Sequence, residues 1–233
     1  MSRTPGTRRK VSLEPRALPP ERPGPDGGVR DATRRARTAA LATAALRLFL
    51  DRGVEAVTID EIATRAGLAK GTFYTYFRDK GDVVDALLGP VTARLREAFT
   101  RCEASLREAH EPASLAVAYQ ALAFELAAAL GDNQGVALLY LQESRAPAVG
   151  ARKPIGLFAR EVRARALTLT FAARAHGLLR PLDARVTANA VVGAVEALAF
   201  EALSGGEIGA PAEATAALID LILHGVASAR AAT

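Results

Sequence analysis

The stretch Thr58-Ile-Asp-Glu-Ile-Ala-Thr-Arg-Ala-Gly-Leu-Ala-Lys-Gly-Thr-Phe-Tyr-Thr-Tyr-Phe-Arg-Asp-Lys80 decides the fold. Thr58 with Glu61 three residues on is a capping box: each side chain satisfies the other's backbone N–H, and a short helix opens. That helix buries Ile62 and Ala66 and stops at Gly67, because the tight turn needs a residue that tolerates positive φ. The next helix covers about Lys70–Tyr76. Two short helices can cross steeply only where the contact point is small. Ala63 supplies that point, and Ile62 and Leu68 fill the space around it. Phe73 and Phe77, one turn apart, turn inward and leave the N-terminal turn of their helix on the solvent side. In a helix-turn-helix that turn enters the major groove of DNA.

Upstream, from Thr33, Leu41, Ala45, Leu48 and Phe49 recur at helical spacing until Gly53 supplies a stop. Downstream a fourth helix begins near Lys80 and no β-alternation follows. Helices are expected over 80–109, 113–130, 134–145, 154–176, 184–203 and 212–229, the first of them kinked or broken at Gly89-Pro90. The gaps carry Pro112, Gly131–Asp132, Pro147–Gly150, Gly177–Pro181 and Ser204–Pro211. The chain is read as all-α: a flexible Pro/Arg-rich arm over 1–31, a three-helix helix-turn-helix domain over 32–79, and a larger helical domain over 80–233.

The region from Arg35 to Leu88 resembles the DNA-binding region of the TetR family of bacterial regulators. The resemblance is carried by Lys70-Gly-Thr-Phe-Tyr-Thr-Tyr-Phe with Asp79-Lys80, by Thr58-Ile-Asp-Glu-Ile-Ala, and by Ala66-Gly67-Leu68. It implies that Lys70, Gly71 and Thr72 sit at the groove. It further implies that Tyr74 and Tyr76 hydrogen-bond phosphates, that Lys80 contacts the DNA backbone beside a helix N-terminus, and that Thr58 and Ile59 abut phosphates. One departure stands out: Ala69 replaces the family's frequent Ser or Thr cap, at a cost of about 1 kcal/mol to the recognition helix.

Charge is unevenly placed along the 233 residues. Residues 1–37 hold ten Arg or Lys against four acids, while the remainder holds twenty basic and twenty-one acidic residues. A basic arm is an electrostatic footprint for nucleic acid, although such a tail can also be a solvated extension without a partner. The helix-turn-helix region itself, residues 38–90, has six basic and seven acidic residues. The single Cys102 allows no internal disulfide and no zinc pair. The N-terminus lacks the apolar segment of a secretory signal, and apolar stretches such as Ala116–Leu130 are interrupted by Gln120 and Glu125 and read as too short to span a bilayer. A cytoplasmic protein with no membrane partner is expected.

Beyond Leu88 the resemblance fades and the residues must speak alone. Helix 184–203 is apolar nearly all round, with Ala188, Val191, Val192, Val195, Leu198 and Ala199 on one face and Ala190, Ala194 and Ala197 on another. Helix 212–229 repeats the pattern. A helix apolar on two sides is covered on two sides, and in the family the second side is the partner subunit of a homodimer. The resemblance implies that the domain over 80–233 serves ligand binding and dimerisation, so helices from about 92 to 176 are expected to enclose a small-molecule effector, which the lining makes apolar or amphipathic. Candidate lining residues are Phe99, Tyr119, Phe124, Tyr140, Phe158 and Phe171, with Gln120, Gln142, Glu143, His176 and Glu196 as polar anchors.

Catalysis finds little support. His110, His176 and His224 lack a paired nucleophile or metal spacing, and no cofactor is implied. Lys70-Gly71-Thr72 has the letters of a phosphate loop in the wrong order, and Gly205-Gly206 follows no strand. The resemblance implies a repressor that binds a palindromic operator as a dimer and is released by its effector. An activator or structural DNA binder of the same fold is the alternative.

Overall fold

Helix starts and stops follow the local chemistry. The computed structural model describes residues 29–175, 177 and 179–224. Its helices are α1 (Val29–Arg52), α2 (Ile59–Arg65), α3 (Lys70–Phe73), α4 (Lys80–Glu108), α5 (Pro112–Asp132), α6 (Gln134–Glu143), α7 (Lys153–Ala175), α8 (Ala184–Leu203) and α9 (Pro211–His224). A 3₁₀ turn, Gly150–Arg152, leads into α7, and no strand occurs among the described residues. The all-α reading therefore holds.

Several helices differ in detail from expectation. Helix α1 starts at Val29 rather than Thr33, with Asp31 in its first turn, so the end of the proposed arm is helical. The rest of that arm, and residues 225–229 of the last expected helix, lie outside the described residues. Helix α4 runs unbroken through Pro90. Gly89 explains the tolerance, because a residue before proline is pushed out of the α region partly through its Cβ, which glycine lacks. Thr92 Oγ1 also donates to the Gly89 carbonyl at 2.9 Å. Helix α5 extends from Pro112 to Asp132, longer than the apolar stretch suggested. It and α8 are long and apolar enough to cross a bilayer by length and composition, which corrects the expectation that this stretch falls short. In α5 the interrupting Glu125 pairs with Arg101 of α4.

The described residues form two compact units. The first contains the chain to Arg94, Ala129–Ala159 and Leu203–Gly205. Its core is built on Leu41, Leu46, Phe49, Val54, Ile62, Phe73, Val83, Leu139 and Ile155, all fully buried. Helix α1 packs on α2 and α6, and α2 packs on α3. The second unit contains Leu95–Ala128, Arg160–Ala202 and the chain from Gly206. It centres on Phe99, Cys102, Leu106, Leu115, Leu122 and Leu169, with Tyr119, Val162 and Leu179 packed around them.

Candidate nucleic-acid interface

The capping box forms as read. Thr58 Oγ1 accepts from Glu61 N–H at 3.3 Å, and Glu61 Oε2 accepts from Thr58 N–H at 2.8 Å. Glu61 also takes a 2.8 Å bond from Arg52, and the guanidinium, with the Thr58 donors behind it, holds the carboxyl down to about 2. Residues Ile62 and Ala63 of α2 are buried, while Ala66 is its half-buried C-cap. Gly67 turns the chain at φ +70, as the sequence requires. Ala69 caps α3 without a side-chain bond.

Helix α3 is shorter than expected as an α-helix but does not end abruptly. Tyr76 and Phe77 N–H both donate to the Phe73 carbonyl, at 2.9 and 3.0 Å, and carry the turn onward. Phe73 is fully buried and stacks against Phe77 at a centroid distance of 5.8 Å. With both rings inward, Lys70, Gly71 and Tyr74 are exposed and Thr72 and Tyr76 half-exposed. Tyr74 is 54% exposed although its ring edge meets Phe73 at 5.6 Å. A ring edge held against the core on a side chain more than half exposed is the arrangement a phosphate contact needs. No added Cβ at Gly71 would meet another atom, so backbone approach there is open. Thr58 is exposed and Ile59 half-exposed at the start of α2.

Lys80 departs from the set. Its Nζ donates to the carbonyls of Val54, Glu55 and Val57 at 2.8, 3.0 and 2.6 Å. An ammonium has three donors, and all three are engaged inside the first unit. The phosphate contact expected of Lys80 is thereby displaced by a strut between α4 and the α1–α2 loop. The N-terminus of α4 is capped instead by Asp79, which accepts from Asp82 N–H at 2.9 Å, while Asp82 grips Arg78. Sequence reading missed both arrangements.

The expected effector residues do not form one group. Tyr140, Glu143 and Phe158 belong to the first unit, where Tyr140 and Phe158 are buried edge-to-face at 5.3 Å. Both oxygens of Glu143 are engaged, by Val54 N–H and by Arg152, so it is a buried packing residue rather than a waiting anchor. In the second unit Phe99 is core and Tyr119 packs beside it, its hydroxyl pKa pushed up by burial. Gln120, Phe124 and Phe171 are exposed, and Glu196 is buried. His176 lies outside the described residues. Phe171 borders a depression of about 380 Å³ with Arg174, Pro181, Leu182, Asp183, Ala184 and Arg185. Cys102 is buried with its thiol pushed up to about 12 by burial, which makes it inert. No group of metal-ligating side chains occurs among the described residues.

Comparison with known proteins agrees with this geometry. Residues 41–87 match the family described as "Bacterial regulatory proteins, tetR family". The repressor BepR of Brucella suis biovar 1 (strain 1330) is 29% identical over 148 residues, 63% of this chain and 66% of that protein. The chain thus spans just under two thirds of that relative's length, and two further curated regulators are covered over 29% and 37% of theirs. Among solved structures, a fatty acid metabolism regulator of Clostridium perfringens, described there as putative, superposes with a TM-score of 0.66 at 19% identity, over 82% of this chain and all of that one. FadR of Bacillus subtilis, solved in complex with stearoyl-CoA, gives 0.58 at 19% identity over 81% and 98%. Residues 41–87 of this chain are thus similar to the helix-turn-helix region of the TetR family of bacterial regulatory proteins, and the helical fold that follows is that of these solved structures.

Proposed function

We propose that this regulator is a repressor that reads a palindromic operator as a homodimer and is released by an amphipathic small molecule. The observation that carries the DNA-reading part is the exposed set Lys70, Gly71, Thr72 and Tyr74, held outward by fully buried Phe73. In this reading residues 32–79 bind DNA, the arm over 1–31 assists, and residues 80–233 bind effector and partner.

Dimerisation is supported by α8. Ala184, Ala188, Val192 and Glu196 bury one line of the helix. On the opposite side Val186, Ala190, Gly193, Ala197 and Phe200 follow at helical spacing and are exposed or half-exposed. Val186 is 68% and Phe200 40% exposed, and Leu221 of α9 is 42% exposed. An apolar stripe of small residues flanked by a phenylalanine suits close helix packing with a second copy. The effector reading rests on the apolar surround of Tyr119 and on exposed Phe124 and Phe171 in the second unit. Stearoyl-CoA, bound by one protein of the same fold, has the amphipathic chemistry proposed.

Selection on random duplexes tests the proposal. A palindrome with half-site centres about one turn of DNA apart, roughly 34–36 Å, is expected. Enrichment of a single, unpaired half-site would remove the dimeric reading, and failure to enrich any sequence would remove DNA reading altogether. Acyl-CoA thioesters of graded length, added to the selected duplex complex, test release. For about 100-fold release a ligand must prefer the non-binding state by roughly 3 kcal/mol.

A further inference from the structure

Helix α2 must be held at a fixed place for α3 to meet the groove, and the segment that delivers it is the loop Gly53–Val57. That loop is gripped from two sides. Lys80 takes three of its carbonyls, as described. From the other side Glu143, the last residue of α6, accepts the Val54 N–H at 2.8 Å through Oε1, while its Oε2 receives Arg152 Nε. A reciprocal contact runs the opposite way: Glu55 Oε1, from the loop, accepts the Ala151 N–H at 3.1 Å in the 3₁₀ turn before α7.

Each carboxylate lies against a glycine in the left-handed region. Gly53 has φ +81, and a Cβ there would stand 3.0 Å from Glu143 Oε1. Gly150 has φ +52, and its Cβ would stand 3.0 Å from Glu55 Oε1. Only glycine combines that backbone with that proximity. The two contacts join residues 89 and 96 positions apart in sequence, all within one compact unit. Val54 is fully buried and Glu143 is 7% exposed, so the Val54 N–H has no water to replace its acceptor.

We propose that Glu143 and Glu55 are positioning residues for DNA reading: crossed carboxylates that fix the α1–α2 loop, and with it α2 and α3, to the end of α6 and the start of α7. The proposal rests on the DNA-reading function above. The loop ends at Thr58, whose capping box starts α2, and α2 packs on α3. A shift at Glu143 or Ala151 therefore reaches the recognition turn through consecutive bonded groups, without passing along α4. This assigns α6 and the α6–α7 connection a direct hold on the reading head.

The test uses the full-length protein and the duplex obtained by selection, with a scrambled duplex of the same length beside it. Glu143→Leu removes the acceptor of Val54 N–H and is expected to lower affinity for the selected duplex about tenfold. Glu55→Ala, at an exposed side chain, is expected to lower it about threefold. Affinity for the scrambled duplex should stay within about twofold in both, since phosphate neutralisation is untouched. Amide exchange at Val54 should quicken in Glu143→Leu, and at Ala151 in Glu55→Ala. Glu143→Gln, which retains one acceptor oxygen, should recover part of the selected-duplex affinity. A merely structural role would lower the melting temperature and leave the selected-to-scrambled ratio unchanged below it, which overturns the proposal. So would a normal ratio with fast exchange at Val54. If Glu143→Leu does not fold, the ratio in Glu55→Ala and Glu143→Gln decides. A wild-type protein that prefers no duplex would instead sink the DNA-reading function, and the positioning role with it.

Discussion

Replacing Lys80 by Met separates two roles that sequence alone cannot. Methionine keeps the aliphatic stem and removes all three donors to Val54, Glu55 and Val57. The bonds to Val54 and Val57 are partly buried and that to Glu55 is exposed. A hydrogen bond from a charged donor contributes about 1.5–3 kcal/mol where water cannot replace it, and much less where it can. Because one ammonium serves all three, about 3 kcal/mol is a reasonable total. For a chain of this size that lowers the melting temperature by roughly 6–12 °C. A phosphate contact predicts something else: loss of about 0.9 per site from the slope of log affinity against log salt, hence about 1.8 for a dimer. The expected result is a clear fall in melting temperature with an unchanged salt slope. Thermal unfolding followed by circular dichroism and duplex titrations at four salt concentrations supply both. An unchanged melting temperature with a shallower slope would refute the strut and restore the phosphate contact.

Tyr74→Phe should weaken selected-duplex affinity about tenfold without changing the melting temperature, because the side chain is more than half exposed; normal affinity would exclude a phosphate contact. Ala190→Glu, in the middle of the exposed stripe on α8, should yield monomers by sedimentation; an intact dimer would move the interface elsewhere. Deleting residues 1–28, which hold six basic and three acidic residues, should weaken DNA binding and flatten its salt dependence. An identical slope would show the arm idle. Glu161 is held down to about 2 chiefly by its bidentate bond with Arg96, against the opposing effect of burial and with help from Arg165. A depressed carboxyl contributes stability above its ordinary value near 4.5 and loses it as pH falls toward 2. Glu161→Gln should therefore be less stable at neutral pH and show a flatter acid limb in that window, measured by denaturant unfolding at stepped pH.

What was legible in the sequence was local. The capping box at Thr58, the positive φ at Gly67, the uncapped start at Ala69 and the inward Phe73–Phe77 pair depend on neighbours within four residues, and each is present in the structure. The start of α1 was misplaced because Pro and Gly dominate up to Gly28, yet Val29-Arg-Asp-Ala holds nothing that breaks a helix. The roles of Lys80 and Glu143 were illegible for a different reason. Lys80 begins a helix beside a recognition motif, and Glu143 ends an apolar helix, so local pattern suggests a phosphate for one and a ligand for the other. The loop carbonyls on Lys80 lie 23–26 residues away and the Val54 N–H on Glu143 lies 89 residues away, and only tertiary structure brings them together. Apolar periodicity likewise identified α8 as doubly apolar but could not say which line the chain itself covers.

The same bonding resolves the charge balance of the reading head. Residues 38–90 hold six basic groups, and the structure commits three of them internally: Arg52 to Glu61, Arg78 to Asp82, and Lys80 to the carbonyls of its loop. Arg47, Arg65 and Lys70 remain exposed, against acids that include Asp51 and Asp60 on the same helices. In the proposed function, a head this close to neutral draws DNA through short-range contacts from hydroxyls, backbone N–H groups and Lys70 rather than by field. Long-range attraction then has to come from outside it. In that reading Arg34, Arg35 and Arg37 supply part of it, exposed on the first turns of α1 and continuous with the helix whose later turns bury Leu41, Leu46 and Phe49. Charge carried on a rigid helix has a fixed place on the duplex, unlike charge on a tail, and so it can contribute to orientation as well as to attraction.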